Sequence, residues 1–296
     1  MMEARQKPQT TWRISLCALA ALGYPVVLYG VQALISALLS MRVPGASLAN
    51  PAGVSATTAA LLRLLAGLLA LALPAFFAAR EGRLTRAELG LRPAPKGAFR
   101  RWLPLFLGTA AAADLLGGLL SGLLDLKPAA VVLPTEGGAL FVSFLALCVL
   151  PAIGEEFFFR GVLQGLLRPA GAGVAMWGSA VLFALLHGGL PAVVTALAGG
   201  LVLAACVRDT GSILPGIGLH FINNSIAFAA VLLARYNGTA IYMILMLMLP
   251  FWGIFAFLRS PVHLKKSQQK GKNLLRTPAY LLAVVCLSIL CLTRSF

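Results

Sequence analysis

Long apolar segments dominate the sequence and limit what it can fold into. They lie at about 14–41, 57–79, 102–124, 138–167, 173–188, 192–207, 214–234, 240–258 and 278–293. A hydrocarbon core about 30 Å thick needs roughly 20 apolar residues per helix. Most connections between the segments are short and carry Gly or Pro. The pattern predicts an all-α, polytopic transmembrane helix bundle of about 8–9 spans.

Composition supports a membrane protein and argues against a nucleic-acid partner. Charged residues make up 11% of the chain and the mean hydropathy is +0.90, whereas soluble domains carry about 25% charged residues. The 24 Lys and Arg exceed the 9 Asp and Glu, but they cluster between the apolar segments. Topology and anionic lipid headgroups explain that excess better than nucleic acid does. The five scattered cysteines form neither a disulfide framework nor a CxxC metal pair, and we expect them to be small buried residues.

The distribution of basic residues predicts the orientation. The apolar run from Ile14 to Met41 is too long for a signal-peptide core, so we expect a retained first span. With a cytoplasmic amino terminus, the inside segments hold 18 basic residues and the outside segments hold 4. This asymmetry follows the positive-inside rule. We therefore predict an integral membrane protein with its amino terminus cytoplasmic and an odd number of spans. The alanine- and leucine-rich composition suggests a bacterial genome, and hence a bacterial inner membrane. We also expect anionic lipids to contact the basic cytoplasmic loops, such as 80–102. The alternative is that the basic residues of these loops only determine the membrane topology.

An ionisable residue within a membrane-spanning segment costs free energy to insert, so each one is expected to have a structural or functional role. The stretch "EEFFFR" holds Glu155, Glu156 and Arg160. Glu156 and Arg160 are four residues apart and share a helix face. Glu155 points about 100° away from Glu156 at 3.6 residues per turn. Arg160 can therefore neutralise Glu156 while Glu155 faces a different part of the bundle. The alternative is that Glu156 and Arg160 form a purely structural ion pair and that Glu155 has no catalytic role.

Two further stretches carry a histidine with a helix-spaced partner. "FALLHGG" holds Phe183 and His187, and "HFINN" holds His220 and Asn224. A packing histidine and an interhelical asparagine are the alternatives. Glu155 and His187 both lie roughly 20 Å from the tight 168–173 turn, hence at similar depth. His220 follows the "RDTGS" loop closely, so either the 168–173 turn projects into the cytoplasm or the span with His220 starts deeper.

Convergence of these three helices would assemble a hydrolytic site. A general base must take a proton from water, and donors must hold the developing oxyanion. Two other ionisable residues, Asp114 and Arg63, also lie within apolar segments. We expect either a buried pair or an Arg63 that reaches the outer interface. A role in transport or substrate binding is the alternative.

The three stretches resemble a known family. "EEFFFR", "FALLH" and "HFINN" match, in order and spacing, the EExxxR, FxxxH and HxxxN motifs of the CPBP (Abi) family of intramembrane proteases related to the type II CAAX prenyl endopeptidases. "AELGLRP" at 87–93 and "DTGSILPGIGLH" at 209–220 are similar to further family features. The resemblance covers about 80–258. It implies three regions: N-terminal transmembrane helices at 1–79, a catalytic helical core at 80–258, and a basic cytoplasmic loop with the last transmembrane helix at 259–296.

The resemblance also implies an activity and roles for the motif residues. The activity is endopeptidase cleavage of a membrane protein or lipidated peptide, near its carboxyl terminus or at a membrane-proximal bond. Glu155 is the implied base, assisted by His187, and His220 with Asn224 would stabilise the oxyanion. Glu156 and Arg160 would support the site.

Metal dependence and a non-catalytic role stay open at this stage. We favour glutamate catalysis without a cofactor, because the sequence contains no HExxH helix. Zinc bound by Glu155, His187 and His220 is the alternative. A non-catalytic scaffold or immunity protein, or a transporter, is the alternative to an enzyme.

Overall fold

The chain forms a bundle of helices. The computed structural model describes residues 2–126, 132–262, 264 and 274–293, with side chains from Gln9 onward. Within these ranges the long elements are all helical, which confirms the predicted all-α class. They are α1 (Met2–Ser40), α2 (Ala56–Glu81), α3 (Ala98–Leu123), α4 (Gly137–Ala170), α5 (Ala172–Leu185), α6 (Leu190–Thr210), α7 (Leu214–Ala234), α8 (Thr239–Arg259) and α9 (Pro278–Leu292).

Seven of these helices are long and apolar enough to cross a membrane, which confirms a polytopic membrane protein. The exceptions are α5 and α9, with 14 and 15 residues. At 1.5 Å per residue each spans about 22 Å, less than a hydrocarbon core. Two of the nine predicted spans are therefore shorter than a full crossing. Most of the predicted basic loop in 259–296 lies outside the described residues.

Small residues let the helices approach closely. A Cβ added to Gly108 of α3 would lie 2.9 Å from the Cα of Gly253 in α8. Close backbone contact of this kind is how transmembrane helices gain van der Waals packing without a hydrophobic driving force.

Four of the cysteines are buried, as predicted, whereas Cys286 of α9 is exposed.

Two apolar clusters flank the centre of the bundle. One is built around α4 and includes Phe158, Phe159 and Leu163, packed against α1, α5 and α9. The other joins α3, α6, α7 and α8 and includes Trp102 and Leu203. Because α4 and α7 also contact each other, their polar residues lie between the clusters.

The connection between α2 and α3 ties α4 to the start of α7. Its carbonyls accept hydrogen bonds from Arg168 (to Ala87, 3.1 Å) and from the backbone N–H of Ile213 (to Gly90, 3.1 Å). Gly90 has φ +66°, and a Cβ there would lie 3.0 Å from Ile213 Cγ2. Glycine is required here, which explains its place in "AELGLRP".

The same contacts relate the positions of α4 and α7. A Cβ on Gly161 would lie 3.1 Å from the Leu89 carbonyl oxygen, so Gly161 is level with the start of α7. Arg168 lies seven residues, or about 10 Å, farther along α4. The end of α4 therefore projects past the start of α7, which is the relative offset that both arrangements considered above require.

Candidate active site

The motif segment of α4 is not a regular α-helix. Leu145–Val149 and Glu156–Leu163 are π-helical. The expected 3.6-residue turn is wrong here because the backbone hydrogen bonds run i→i+5, which widens the helix. π-Helical segments are rare in proteins, and many of those that do occur lie at functional sites. The i,i+4 pairing of Glu156 with Arg160 is nevertheless retained.

Glu156, Arg160 and His220 form a buried polar network. The Glu156 and Arg160 side chains are both 0% exposed. Glu156 Oε1 accepts from Arg160 Nη1 and faces His220 Nδ1, each at 2.9 Å. Arg160 Nη2 also donates to the Gly200 carbonyl at 3.3 Å, and its guanidinium carbon lies 4.0 Å from the centre of the Phe183 ring. The carboxylate is thus neutralised and fixed in the interior.

Glu155 occupies a different position from its neighbour. Its Oε2 atom lies 3.9 Å from Nε2 of His187 and 3.9 Å from Nε2 of His220. The same oxygen is buried and has no hydrogen-bond partner among the described protein atoms. The structure therefore brings the second acid of α4 together with both imidazoles, His187 from the turn just after α5 and His220 from α7.

Both imidazoles turn Nδ1 toward an oxygen acceptor. His187 Nδ1 lies 2.8 Å from the Phe183 carbonyl oxygen, and His220 Nδ1 lies 2.9 Å from Glu156 Oε1. A carbonyl and a carboxylate only accept, so each Nδ1 carries a hydrogen. Each Nε2 then points toward Glu155 and accepts a hydrogen bond when the ring is neutral, or donates one when the ring is protonated.

A cavity of about 550 Å³ reaches the two imidazoles of this cluster, while Glu155 lies behind them and does not line it. Its wall includes His187, His220 and Asn224, together with Asn223. Asn224 therefore shares the cavity with the two imidazoles. Apolar and small side chains form much of the remaining wall, including Phe106, Ala110, Gly117, Ala196, Gly199 and Leu203. The volume lies within the range of about 300–1,000 Å³ that is typical of ligand pockets.

The two remaining intramembrane charges are not a pair. Arg63 donates to the Leu48 carbonyl at 2.8 Å, in the connection after α1. Asp114 lines the cavity and interacts with the Thr195 hydroxyl. The expected buried pair of Asp114 with Arg63 is therefore wrong, and an Arg63 that reaches the loop at one end of α2 agrees with the other expectation.

Two glycines pack closely against the buried polar network, and the sequence analysis did not single them out. A Cβ on Gly216 would lie 3.0 Å from Glu156 Oε2. A Cβ on Gly200 would lie 3.0 Å from Phe183 Cδ1 and 3.3 Å from Arg160 Nη2. Gly216 lies one turn before His220 in "LPGIGLH", and that spacing was the available signal.

The ligand types for zinc are present, but their placement does not fit a metal ion. Within the described ranges, no group of three or more His, Cys, Asp or Glu side chains is arranged to hold one. The preference for metal-free catalysis stays a prediction.

Comparison with known families confirms the resemblance drawn from the motifs. Residues 137–226 match the family described as type II CAAX prenyl endopeptidase Rce1-like. The matched segment is less than a third of the chain, but it contains Glu155, Glu156, Arg160 and both site histidines. Searches of curated proteins and of solved structures gave no match.

Proposed function

Since the segment 137–226 belongs to the Rce1-like type II CAAX prenyl endopeptidase family, we propose that this protein is an intramembrane endopeptidase that hydrolyses a peptide bond in a membrane-anchored or carboxyl-terminal-tail substrate. One observation carries the proposal. The carboxylate of Glu155 lies 3.9 Å from Nε2 of both His187 and His220, beside a cavity large enough for a peptide.

Glu155 is the base in this proposal. A water about 2.8 Å from each atom bridges a gap of this size, so one water contacts both Glu155 Oε2 and His187 Nε2. Glu155 takes one proton from the water, and neutral His187 accepts a hydrogen bond from the other hydrogen. The water oxygen then bonds to the scissile carbonyl carbon, and the carbonyl electrons move onto its oxygen.

His220 and Asn224 stabilise the oxyanion. Nδ1–H of His220 donates to Glu156, so Nε2 donates to the oxyanion only when His220 is protonated. Asn224 supplies an amide N–H from the same cavity wall. As the tetrahedral intermediate collapses, the C–N bond breaks and Glu155 passes its proton to the leaving amine. The products are a carboxyl group and an amine.

The charges of the site balance in this protonation state. Two carboxylates, Glu155 and Glu156, face two cations, Arg160 and protonated His220. A neutral sum reduces the cost of burying charge in a low-dielectric environment. Glu156 is unsuited to act as the base, since its Oε1 already faces two donors and its side chain is 0% exposed.

We further propose that the protein lies in a bacterial inner membrane with its amino terminus cytoplasmic. The 82–97 connection contacts both the turn after α4 and the start of α7, so these three segments share one side of the bundle. The basic residues of the connection favour a cytoplasmic location for that side, by the positive-inside rule. Labelling of single cysteines placed at Arg86 in intact and permeabilised cells tests this, and labelling in intact cells would contradict it.

Non-catalytic and transport functions make different predictions. A scaffold or immunity protein retains its function in cells when Glu155 is changed. A transporter that uses Asp114 and Arg63 instead predicts substrate flux in proteoliposomes that depends on these two residues. We therefore expect a Glu155→Gln gene to fail to rescue a deletion strain, and full rescue would favour the scaffold.

Proteolysis itself is tested with purified protein in lipid nanodiscs. Membrane proteins that accumulate uncut in Glu155→Gln cells are identified by proteomics, and peptides from them are incubated with each protein. Wild-type protein and the matched control Glu81→Gln, at an exposed acid, are expected to cut the same bond. Metal analysis with and without a chelator then separates the catalytic modes, since metal-free catalysis predicts full activity after metal removal.

A further inference from the structure

A second acid lines the cavity outside the proposed catalytic cluster. Asp114, in the middle of α3, faces Thr195 of α6. It also borders a small adjoining space with Asn223 and Tyr242. The hydrolytic steps above use none of these side chains.

Asp114 pairs with no cation within the described part of the chain. The ion pairs there involve Glu88, Asp209, Glu155 and Glu156, and none involves Asp114. The Asp114 side chain is instead exposed to the cavity that it lines. Ionisable residues within membrane-spanning helices often mark the path of a substrate, so this carboxylate is available to a cationic group of a ligand in the cavity.

Helix positions relate the neighbours of Asp114 to the reacting centre. Thr195 precedes Gly200, whose carbonyl binds Arg160, by five residues of α6, or about 7.5 Å along the helix. Asn223 follows His220 by three residues of α7, or about 4.5 Å along the helix. An extended peptide advances about 3.4 Å per residue. These axial offsets correspond to about one to two residues of an extended peptide.

We propose that Asp114, with Thr195, forms a subsite for a basic side chain, so that the substrate carries Lys or Arg within about two residues of the cleaved bond. The proposal extends the proposed endopeptidase function, because it names the substrate class. The Asp114 carboxylate accepts hydrogen bonds from the ammonium or guanidinium group, and the apolar wall covers its methylene stem.

Binding tests the subsite without requiring cleavage. The probes are capped Leu/Ala peptides of about seven residues, roughly 24 Å when extended, with one central Arg or its uncharged near-isostere citrulline. Their Kd values are measured on full-length Glu155→Gln protein in nanodiscs. The Arg peptide is expected to bind at least ten-fold more tightly. Adding Asp114→Asn is expected to bring the ratio to about one, whereas Asp125→Asn, at an exposed acid after α3, keeps it.

The outcomes separate this subsite from the proposed function. Equal binding of the two peptides, or a preference that survives Asp114→Asn, refutes the subsite whether or not the protein cuts peptides. With wild-type protein, mass spectrometry of the products is expected to show that the cut moves with the Arg when its position is shifted. A preference for Arg without any cleavage would overturn the endopeptidase function and leave a cation-binding cavity.

Discussion

Removal of Arg160 from the buried network is expected to destabilise the protein strongly. Arg160 is 0% exposed, pairs with Glu156 at 2.9 Å, and donates to the Gly200 carbonyl. In Arg160→Met the methionine fills much of the same volume, so the main loss is electrostatic. Glu156 keeps only His220 as a partner for its charge. Breaking a buried ion pair on one side typically costs about 3–5 kcal/mol, and we expect a loss in the free energy of unfolding within that range.

The double variant Glu156→Gln/Arg160→Met isolates the pair. Because it removes both charges, its loss is expected to be smaller than the sum of the two single losses by about 2–3 kcal/mol. Equilibrium unfolding in mixed micelles measures all the variants, with Arg86→Met as the matched control at an exposed arginine. That control is expected to stay within about 0.5 kcal/mol. A loss below about 1 kcal/mol for Arg160→Met, or simple additivity of the two changes, would refute the account of this network.

Two further predictions concern packing and pH. Gly216→Ala adds a Cβ 3.0 Å from Glu156 Oε2, so we expect this variant to have lower stability and lower activity. The control Gly173→Ala has open space around the new Cβ, so we expect it to change neither. Equal behaviour of the two variants in unfolding and peptide-cleavage assays would contradict this prediction. Burial alone would raise the pKa of Glu88, but hydrogen bonds from Thr85 and Arg13 outweigh it, so the pKa is lowered from 4.5. The stabilisation from Glu88 is therefore present above pH 4.5 and lost as the pH falls through the lowered pKa. Unfolding curves measured at several pH values should show that Glu88→Gln lacks this loss of stability at acid pH. If the variant and the wild-type protein have the same pH dependence of stability, the proposed contribution of Glu88 is wrong.

The sequence predicted the helices and the main contacts of the site because both depend on local spacing. Apolar segment length located the nine long helices of the described residues, and the i,i+4 spacing paired Glu156 with Arg160. The tight turn after α4 indicated that Glu155 and His187 lie at a similar depth. Each of these inferences needs only residue positions along a helix and a known rise per residue.

Other features depend on contacts between distant segments and were not visible in the sequence. The π-helical turns change which faces of α4 meet its neighbours. The position of His220 relative to α4 was ambiguous until the 82–97 connection was located, since Gly90 and Leu89 align the two helices. A pair of Asp114 with Arg63 was one of two expectations, because spacing within separate helices does not reveal which cavity a side chain borders.

The most direct test of the central claim is the kcat/KM of Glu155→Gln for a peptide that the wild-type protein cuts. Glutamine keeps the size of the side chain but cannot take a proton from water. The account predicts a fall of about 10²–10⁴-fold, with unfolding behaviour like that of the wild-type protein. Activity within about ten-fold of wild type would contradict Glu155 as the base that activates water.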